Sequence, residues 1–367
     1  MQALRTYDEL TAARTRFLRV EDLCRLAKLV PEEELAAEAR RPLKEKKGVE
    51  RAQARFLAEI LGNPVAGTHL CHAMLLPRED SRQALQQYEA RGELTFNGAK
   101  IRRQGKASVI TLSNPRYLNA EDETTLAGAE TAVDVALLDP QTEVCVLRGD
   151  VVTHPKYAGR RLFGAGINLT HLYEGKIRYL WYLIRDLGLV NKFYRGLAVP
   201  DASPEVQSTE KLWIAAVEGF AIGGHCQILL TMDYTIAANE AYLTLPARKE
   251  GIIPGAANLR LPRFVGDRIA RQAILAERRI DCDSEAGRLI CDEIVPPERM
   301  DEAIDAMVDR LTSSGVVSAA GNRRAFRAGE EPLDTFRRYM AIYAREQAEC
   351  HLSPALVCNL ERNWKQR

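Results

Sequence analysis

The chain has 367 residues, with 51 Lys plus Arg against 50 Asp plus Glu and a formal net charge of +1. That length suits one large domain or two smaller ones around a sizeable core, and the charge balance excludes a general electrostatic pull toward nucleic acid or an anionic membrane. The eight cysteines form no CxxC pair and no metal-ligand spacing with histidine, so they read as reduced core thiols and no metal site is expected.

The first thirty residues are charged throughout and no apolar run reaches the length of a membrane span. Neither a signal peptide nor a transmembrane helix is expected, and a cytoplasmic location follows. Residues 1–92 read as a helical N-terminal domain that covers the core or its substrate entrance. Phe17, Val20, Leu23, Leu26, Leu29 and Val30 keep helical spacing, as do Phe56, Leu57, Ile60 and Leu61 beyond a charged run at 40–51. Within that run Lys44-Glu45-Lys46-Lys47 reads as a solvated face or loop.

A core follows at 93–280. Short β-rich runs at 94–96, 99–101 and 107–112 open it, the first two parted by Asn97-Gly98, a hairpin signal. Pro115 is expected to end a strand, Asn119 to cap a helix from Ala120 onward, and Glu121 to sit in that helix's first turn. Val144-Cys145-Val146-Leu147 reads as a buried strand, and Arg161 to Leu169 as a glycine-bearing turn leading to a helix. Residues 171–196 read as an apolar, aromatic helix, and 201–204 as an exposed loop. The apolar run Leu212 to Val217 reads as the central strand, followed by the glycine-rich turn Gly219 to Gln227 and by helical spacing from Ile228 to Met232. Residues 281–367 form a C-terminal helical region, with a helix at Ser284 to Ile290 and a short strand at 291–295.

The chemistry lies in the two glycine turns. A strand, a tight turn and a helix leave backbone amides free at the helix N-terminus, where they can donate to an anion. Two such turns at adjacent strand ends could aim two amides at one oxygen, which is an oxyanion hole.

Three stretches in order, Phe163-Gly164-Ala165-Gly166-Ile167-Asn168-Leu169, Ala215 to Gly224, and Gly251-Ile252-Ile253-Pro254-Gly255, resemble the crotonase (enoyl-CoA hydratase/isomerase) superfamily over about Lys106 to Arg299. The resemblance implies an α/β fold, with a crotonase-like ββα superhelix core, a helical N-terminal domain and C-terminal oligomerisation helices that build a homotrimer or homohexamer. It implies that the backbone amides of Ile167 and Gly224 polarise an acyl-CoA thioester carbonyl. It also implies two glutamates for water addition, at positions held here by Gln227 and Ala247. Gln227 cannot take a proton and Ala247 has no functional group, so hydration by the usual pair is not expected.

His154 to Arg161, Gln227 and Leu245 to Arg260 are similar instead to the superfamily's cofactor-independent arylacetyl-CoA dioxygenases, and this likeness extends into the N-terminal helices. It implies oxidation of 3,5-dihydroxyphenylacetyl-CoA, or a close arylacetyl-CoA, by O2 to 3,5-dihydroxyphenylglyoxylate and free CoA. No metal or organic cofactor is implied; O2 is the co-substrate and CoA part of the substrate. Glu121, His154, Arg185 and Gln227 would surround the ring hydroxyls, Leu169, Ala247, Ile252 and Gly255 would line the oxygen pocket with Ile167 adjoining, and Arg161 would lie near the CoA phosphates. Taken singly, Leu169 and Ile252 also read as ordinary core, His154 as a surface histidine before a proline, and Arg161 as a solvated cation. Two other readings stay open: a hydratase, isomerase or thioesterase recruiting Glu250 or Glu121, and an acyl-CoA-binding protein without catalysis.

Overall fold

Near-continuous apolar runs make the parallel strands at the centre of the main sheet, which are buried along most of their length. The computed structural model describes residues 2–364. β1 (Glu93–Phe96) and β2 (Ala99–Gln104) form a hairpin across Asn97-Gly98, and β3 (Ala107–Leu112) pairs antiparallel with β2. The direction then becomes parallel: β4 (Val144–Gly149) runs beside β3 and is buried along its whole length. Leu197–Ala198 (β5) and Ser208–Thr209 (β6) form a small separate ribbon.

β7 (Leu212–Val217) is the strand expected at the centre, and it runs parallel to β4 on one side and to β9 (Tyr234–Ala238) on the other. β8 (Phe220–Ile222) leaves this sheet at once to pair with β10 (Tyr242–Thr244), which in turn meets β11 (Ile280–Asp281). β12 (Glu293–Val295) closes the main sheet, whose order is β1-β2-β3-β4-β7-β9-β12. The chain therefore steps from one sheet to the other at Glu218-Gly219, and the helix Gly224–Leu229 starts in the gap.

The helices cover this frame. Arg51–Gly62 packs against the long C-terminal helix Leu333–His351, and one continuous apolar cluster runs from Tyr7 and Leu57 through Val146 and Leu261 to Phe336 and Leu360. Among the described residues no helix is long and apolar enough to cross a membrane.

Several local expectations need correction. The stretch 171–196 is not one helix: residues 174–178 interrupt it between Leu169–Tyr173 and Tyr179–Ile184. The helix expected over Ile228 to Met232 starts earlier and spans Gly224–Leu229. No helix begins at Ala120; the helix spans Leu126–Leu138, and Leu118 and Asn119 both take left-handed backbone, with φ of 56° and 58°. Asn119 instead donates from Nδ2 to the carbonyls of Asp150 and Leu162, both at 2.8 Å. Glu121 accordingly lies in a bridge to Ile167 and not in a helical first turn. Only Gly287–Leu289 of the stretch Ser284 to Ile290 is helical, as one 3-10 turn. In the cluster 44–47, the Lys46 side chain is buried beside Glu50, with its ammonium 3.5 Å from the carboxylate.

Candidate active site

The two glycine turns meet. The amide of Gly164 donates to the carbonyl of Phe220, and the amide of Ile222 donates back to Gly164 at 3.0 Å, which ties the first turn to β8. Glu121 and Ile167 form the neighbouring bridge, the Glu121 amide donating to the Gly166 carbonyl at 2.7 Å and the Asn168 amide to the Glu121 carbonyl at 2.8 Å. These bonds leave the Ile167 amide uncommitted, and the Gly224 amide, first in its helix, is equally free; among the described residues neither has a protein acceptor. Gly166 explains how closely they approach. With φ at 77°, a Cβ there would stand 2.7 Å from the Ile222 carbonyl and 3.1 Å from the Gly224 nitrogen, so only glycine fits.

His225 locks the same contact from behind. It is fully buried, and its Nδ1 accepts from the Gly166 amide at 3.0 Å. Burial pushes its imidazole down to about 4, with Arg185 adding to the effect and Glu121 opposing it. His225 is therefore neutral at physiological pH and can accept that bond.

A buried polar cluster centres on Arg185. Its guanidinium forks onto Glu121 at 2.9 and 2.8 Å, and also donates to Asp186 Oδ1 and Gln227 Oε1, both at 2.9 Å, and to the Gly224 carbonyl at 2.8 Å. Burial works against this charge, yet Glu121 and Asp186 outweigh it and hold Arg185 above its ordinary value. Burial pushes the Asp186 carboxyl up, while Arg185 and the Tyr343 hydroxyl pull the other way. The helix that carries them widens into a π turn over Arg185–Val190, directly after Tyr179–Ile184. A wide turn of this kind often re-aims side chains at functional sites, and here Arg185 and Asp186 both reach one cavity.

That cavity is walled by Ile167, Gly223, Gly224, Gln227, Ala247 and Ile252, with Trp181, Tyr182, Glu250 and Tyr343 completing it. Sequence reasoning placed Ile167, Gly224, Gln227, Arg185, Ala247 and Ile252 together, and the structure does bring them together. Glu121 stands behind Arg185, and Gly255 packs on the side chains of Gln227 and Asp186. Three residues stand apart from the wall. His154 caps the single turn Pro155–Tyr157, its Nδ1 accepting from the Lys156 amide at 3.3 Å. Leu169 opens the helix Leu169–Tyr173 and packs against the core. Arg161 donates to the Gly149 carbonyl at 2.8 Å, lies 3.6 Å from Glu218, and faces a separate groove with Lys100, Arg102 and Arg148.

Asp186, Trp181, Tyr182 and Tyr343 were missed as site residues. Asp186 had a signal, because two adjacent charges inside an apolar helix are costly to bury unless paired. Trp181 and Tyr182 read as core of their apolar helix, and Tyr343 carried no signal because it comes from a helix far along the chain. The Trp181 Nε1–H is buried without an acceptor among the described residues. No group of three His, Cys, Asp or Glu side chains is placed to hold a metal ion among the described residues.

Comparison with known proteins shows the family and the fold. Residues 102–348 match the family described as enoyl-CoA hydratase/isomerase. A (3,5-dihydroxyphenyl)acetyl-CoA 1,2-dioxygenase of Amycolatopsis orientalis is 47% identical over 349 residues, covering 93% of this chain and 80% of that protein. A short-chain-enoyl-CoA hydratase of Clostridium acetobutylicum is 27% identical over 245 residues, covering 66% of this chain and 86% of its own length. Among solved structures, an enoyl-CoA hydratase from Mycobacterium avium subsp. paratuberculosis K-10 superposes with a TM-score of 0.60 over 73% of this chain and 99% of that one, at 21% identity, which speaks to the fold alone. The 349-residue match, at 93% of the chain, must include most of the N-terminal helices, whereas the hydratase match covers two thirds of the chain.

Proposed function

The chain belongs to the enoyl-CoA hydratase/isomerase family, and on that footing we propose that it is a dioxygenase converting 3,5-dihydroxyphenylacetyl-CoA, or a close arylacetyl-CoA, with O2 to the arylglyoxylate and free CoA. The observation that carries this reading is the pair of uncommitted amides at Ile167 and Gly224 beside Gln227 and Ala247. A carbonyl oxygen held by both amides gains stabilisation as it becomes an enolate; one such donor is worth on the order of 3 kcal/mol in a transition state. The residues that would manage water addition are an amide and a methyl group. The 47% identity to a dioxygenase over most of the chain supports the same reading.

The benzylic carbon of an arylacetyl thioester is acidified by both the carbonyl and the ring. Its enolate can pass one electron to O2 and recombine as a peroxide at that carbon. Attack of the peroxide on the thioester carbonyl expels CoA, and O–O scission with loss of the second benzylic hydrogen leaves the 2-oxo acid. Atoms balance without water: both oxygen atoms enter the acid, one hydrogen ends on the CoA sulfur and the other on the carboxyl group. The substrate supplies the electrons, so the reaction requires neither metal nor organic cofactor. Ala247 and Ile252, with Gly255 packed on Gln227, would give O2 an apolar niche, and by resemblance Leu169 would belong to it. Glu121, Arg185 and Gln227 would position the ring hydroxyls; by resemblance alone His154 would join them and Arg161 would serve the CoA phosphates. By the family's habit the working unit is a homotrimer or homohexamer.

Protein exhaustively treated with chelator, given the thioester under 18O2, is expected to consume O2, release CoA and place two labelled atoms in the acid. Loss of uptake on chelation, or CoA release under nitrogen without oxidation, would replace this reading with a metal-dependent oxygenase or a thioesterase.

A further inference from the structure

The proposed reaction needs a group to take the first benzylic proton, and the residues assigned above to the ring hydroxyls, the oxygen niche and the glycine turns cannot do so. Gln227 is an amide, Ala247 a methyl, and Glu121 is held by both nitrogens of the Arg185 fork. Asp186 is likewise engaged, by Arg185 and by Tyr343. His225 uses Nδ1 to accept from Gly166 and stands behind the glycine turns.

One carboxyl on the cavity wall is free of such commitments. Glu250 closes the short helix Ala247–Glu250. Positions three apart share a helical face, so it projects on the same side as Ala247, and both line the cavity with Ile167 and Gly224. Among the described residues its carboxylate has no hydrogen bond and no ion pair within 4.0 Å. The groups facing it are Lys249 on its own helix, Glu277 beyond the following helix, Tyr182, the Arg185 and Asp186 pair, and Tyr343. The helix Pro354–Asn363 meets this corner through Leu356 and Asn359, neither of which titrates.

Resting on the arylacetyl-CoA reading, we infer that Glu250 is the proton acceptor that forms the enolate, taking the benzylic hydrogen while the Ile167 and Gly224 amides hold the carbonyl oxygen. The C–H bond breaks, its electron pair passes to the thioester oxygen, and the proton rests on Glu250 until the departing CoA thiolate recovers it. The environment suits that exchange. Burial pushes the Glu250 carboxyl up to about 8, Glu277 reinforcing this and Lys249 opposing it, which brings its proton affinity toward the working pH as a general base requires. The helix position that a hydratase would use for its acid is thus apolar at Ala247, and the acid stands one turn later.

Proton abstraction can be read apart from oxidation. Under nitrogen in D2O, the parent protein is expected to exchange the benzylic hydrogens of the thioester, at a rate that rises with pH through about 8 as the carboxyl ionises. Glu250→Gln should slow this exchange by about 100-fold or more, while binding of a non-reactive thioether analogue of the arylacetyl-CoA stays within about threefold. Glu250→Asp, with its carboxylate drawn back by one methylene, should fall between the two. Exchange by Glu250→Gln within about threefold of the parent overturns the assignment. Should that variant not fold, a parent exchange profile that is flat from about pH 6 to about pH 9 overturns it equally. The two proposals fail separately: a parent that exchanges under nitrogen but consumes no O2 defeats the oxygenase reading and leaves Glu250 as the base, whereas full O2 uptake by Glu250→Gln defeats the base alone.

Discussion

Arg185 answers two carboxylates and a side-chain amide with one guanidinium, and that count fixes what Gln227 must be. Gln227 offers the guanidinium a neutral oxygen at 2.9 Å, where Glu121 and Asp186 already supply two negative charges against one positive. Gln227→Glu would place a third carboxylate in the same buried space. Like charges and burial both push such a carboxyl up, so at neutral pH the variant either strains the cluster or takes a proton. A loss of about 1.4 to 3 kcal/mol in transition-state stabilisation, roughly ten- to hundredfold in kcat/KM, is expected. The protonated glutamic acid mimics the amide and exists below the raised pKa. The ratio of variant to parent kcat/KM should therefore recover as pH falls, in CoA-release assays run across the range; a ratio independent of pH would mean that the amide's charge is irrelevant to its role. Gly224 belongs to the same close fit, because a Cβ there would stand 2.5 Å from Glu121 Oε2 and 2.8 Å from Arg185 Nη2.

Among the elements, those whose signals are local were legible and those set by distant partners were not. The strand Leu212–Val217 announces itself by its unbroken apolar run, the β1–β2 turn by Asn97-Gly98, and the oxyanion turns by their glycines. Asn119 misled because it looks like a cap, whereas its side chain serves carbonyls at 150 and 162 and holds two successive left-handed residues in place. The polar cluster was legible only through resemblance, since nothing local tells that Arg185 in an apolar helix meets Glu121 and Gln227. The helix Asn191–Arg195, just past the π turn, shows the same dependence on distant partners. Lys192 is fully buried and bridges Glu130 at 2.8 Å and Asp134 at 2.7 Å on the helix Leu126–Leu138, and Glu130 also holds Arg19 at 2.9 Å. Lys192→Met leaves two buried carboxylates short of their cation and should cost about 3–5 kcal/mol, read as a fall in the urea midpoint at unchanged slope. Adding Asp134→Leu should return part of the loss, because it removes one stranded charge; a fully additive double variant would show that the three side chains do not act as one unit.

At the scale of the molecule, the family match at 102–348 leaves the N-terminal helices outside, yet they are bound into the same core. The helix Arg51–Gly62 lays Phe56, Leu57, Ile60 and Leu61, all buried, toward a core that also holds Phe336, Met340, Tyr343 and Ala344 of Leu333–His351. Polar contacts stitch the same seam: the Tyr179 amide donates to Glu50 Oε1 at 2.9 Å, Arg337 donates to the Leu61 carbonyl, and His72 Nε2 contacts the Val199 carbonyl at 2.9 Å. Each fully buried leucine or isoleucine contributes about 1.5–3 kcal/mol, so Leu57, Ile60 and Leu61 together rival a whole domain's net stability of about 5–15 kcal/mol. A fragment beginning at Glu93 would keep the family fold's sequence and still lose the surface on which Leu333–His351 packs. That helix carries Tyr343 to the cavity wall, so stability and activity should be lost together. The fragment is expected to show no cooperative thermal transition and no thioester turnover where the full chain shows both. If it instead unfolds cooperatively and binds the thioether analogue, the N-terminal helices are an added layer over a self-sufficient core, and the packing between Arg51–Gly62 and Leu333–His351 contributes far less than its burial implies.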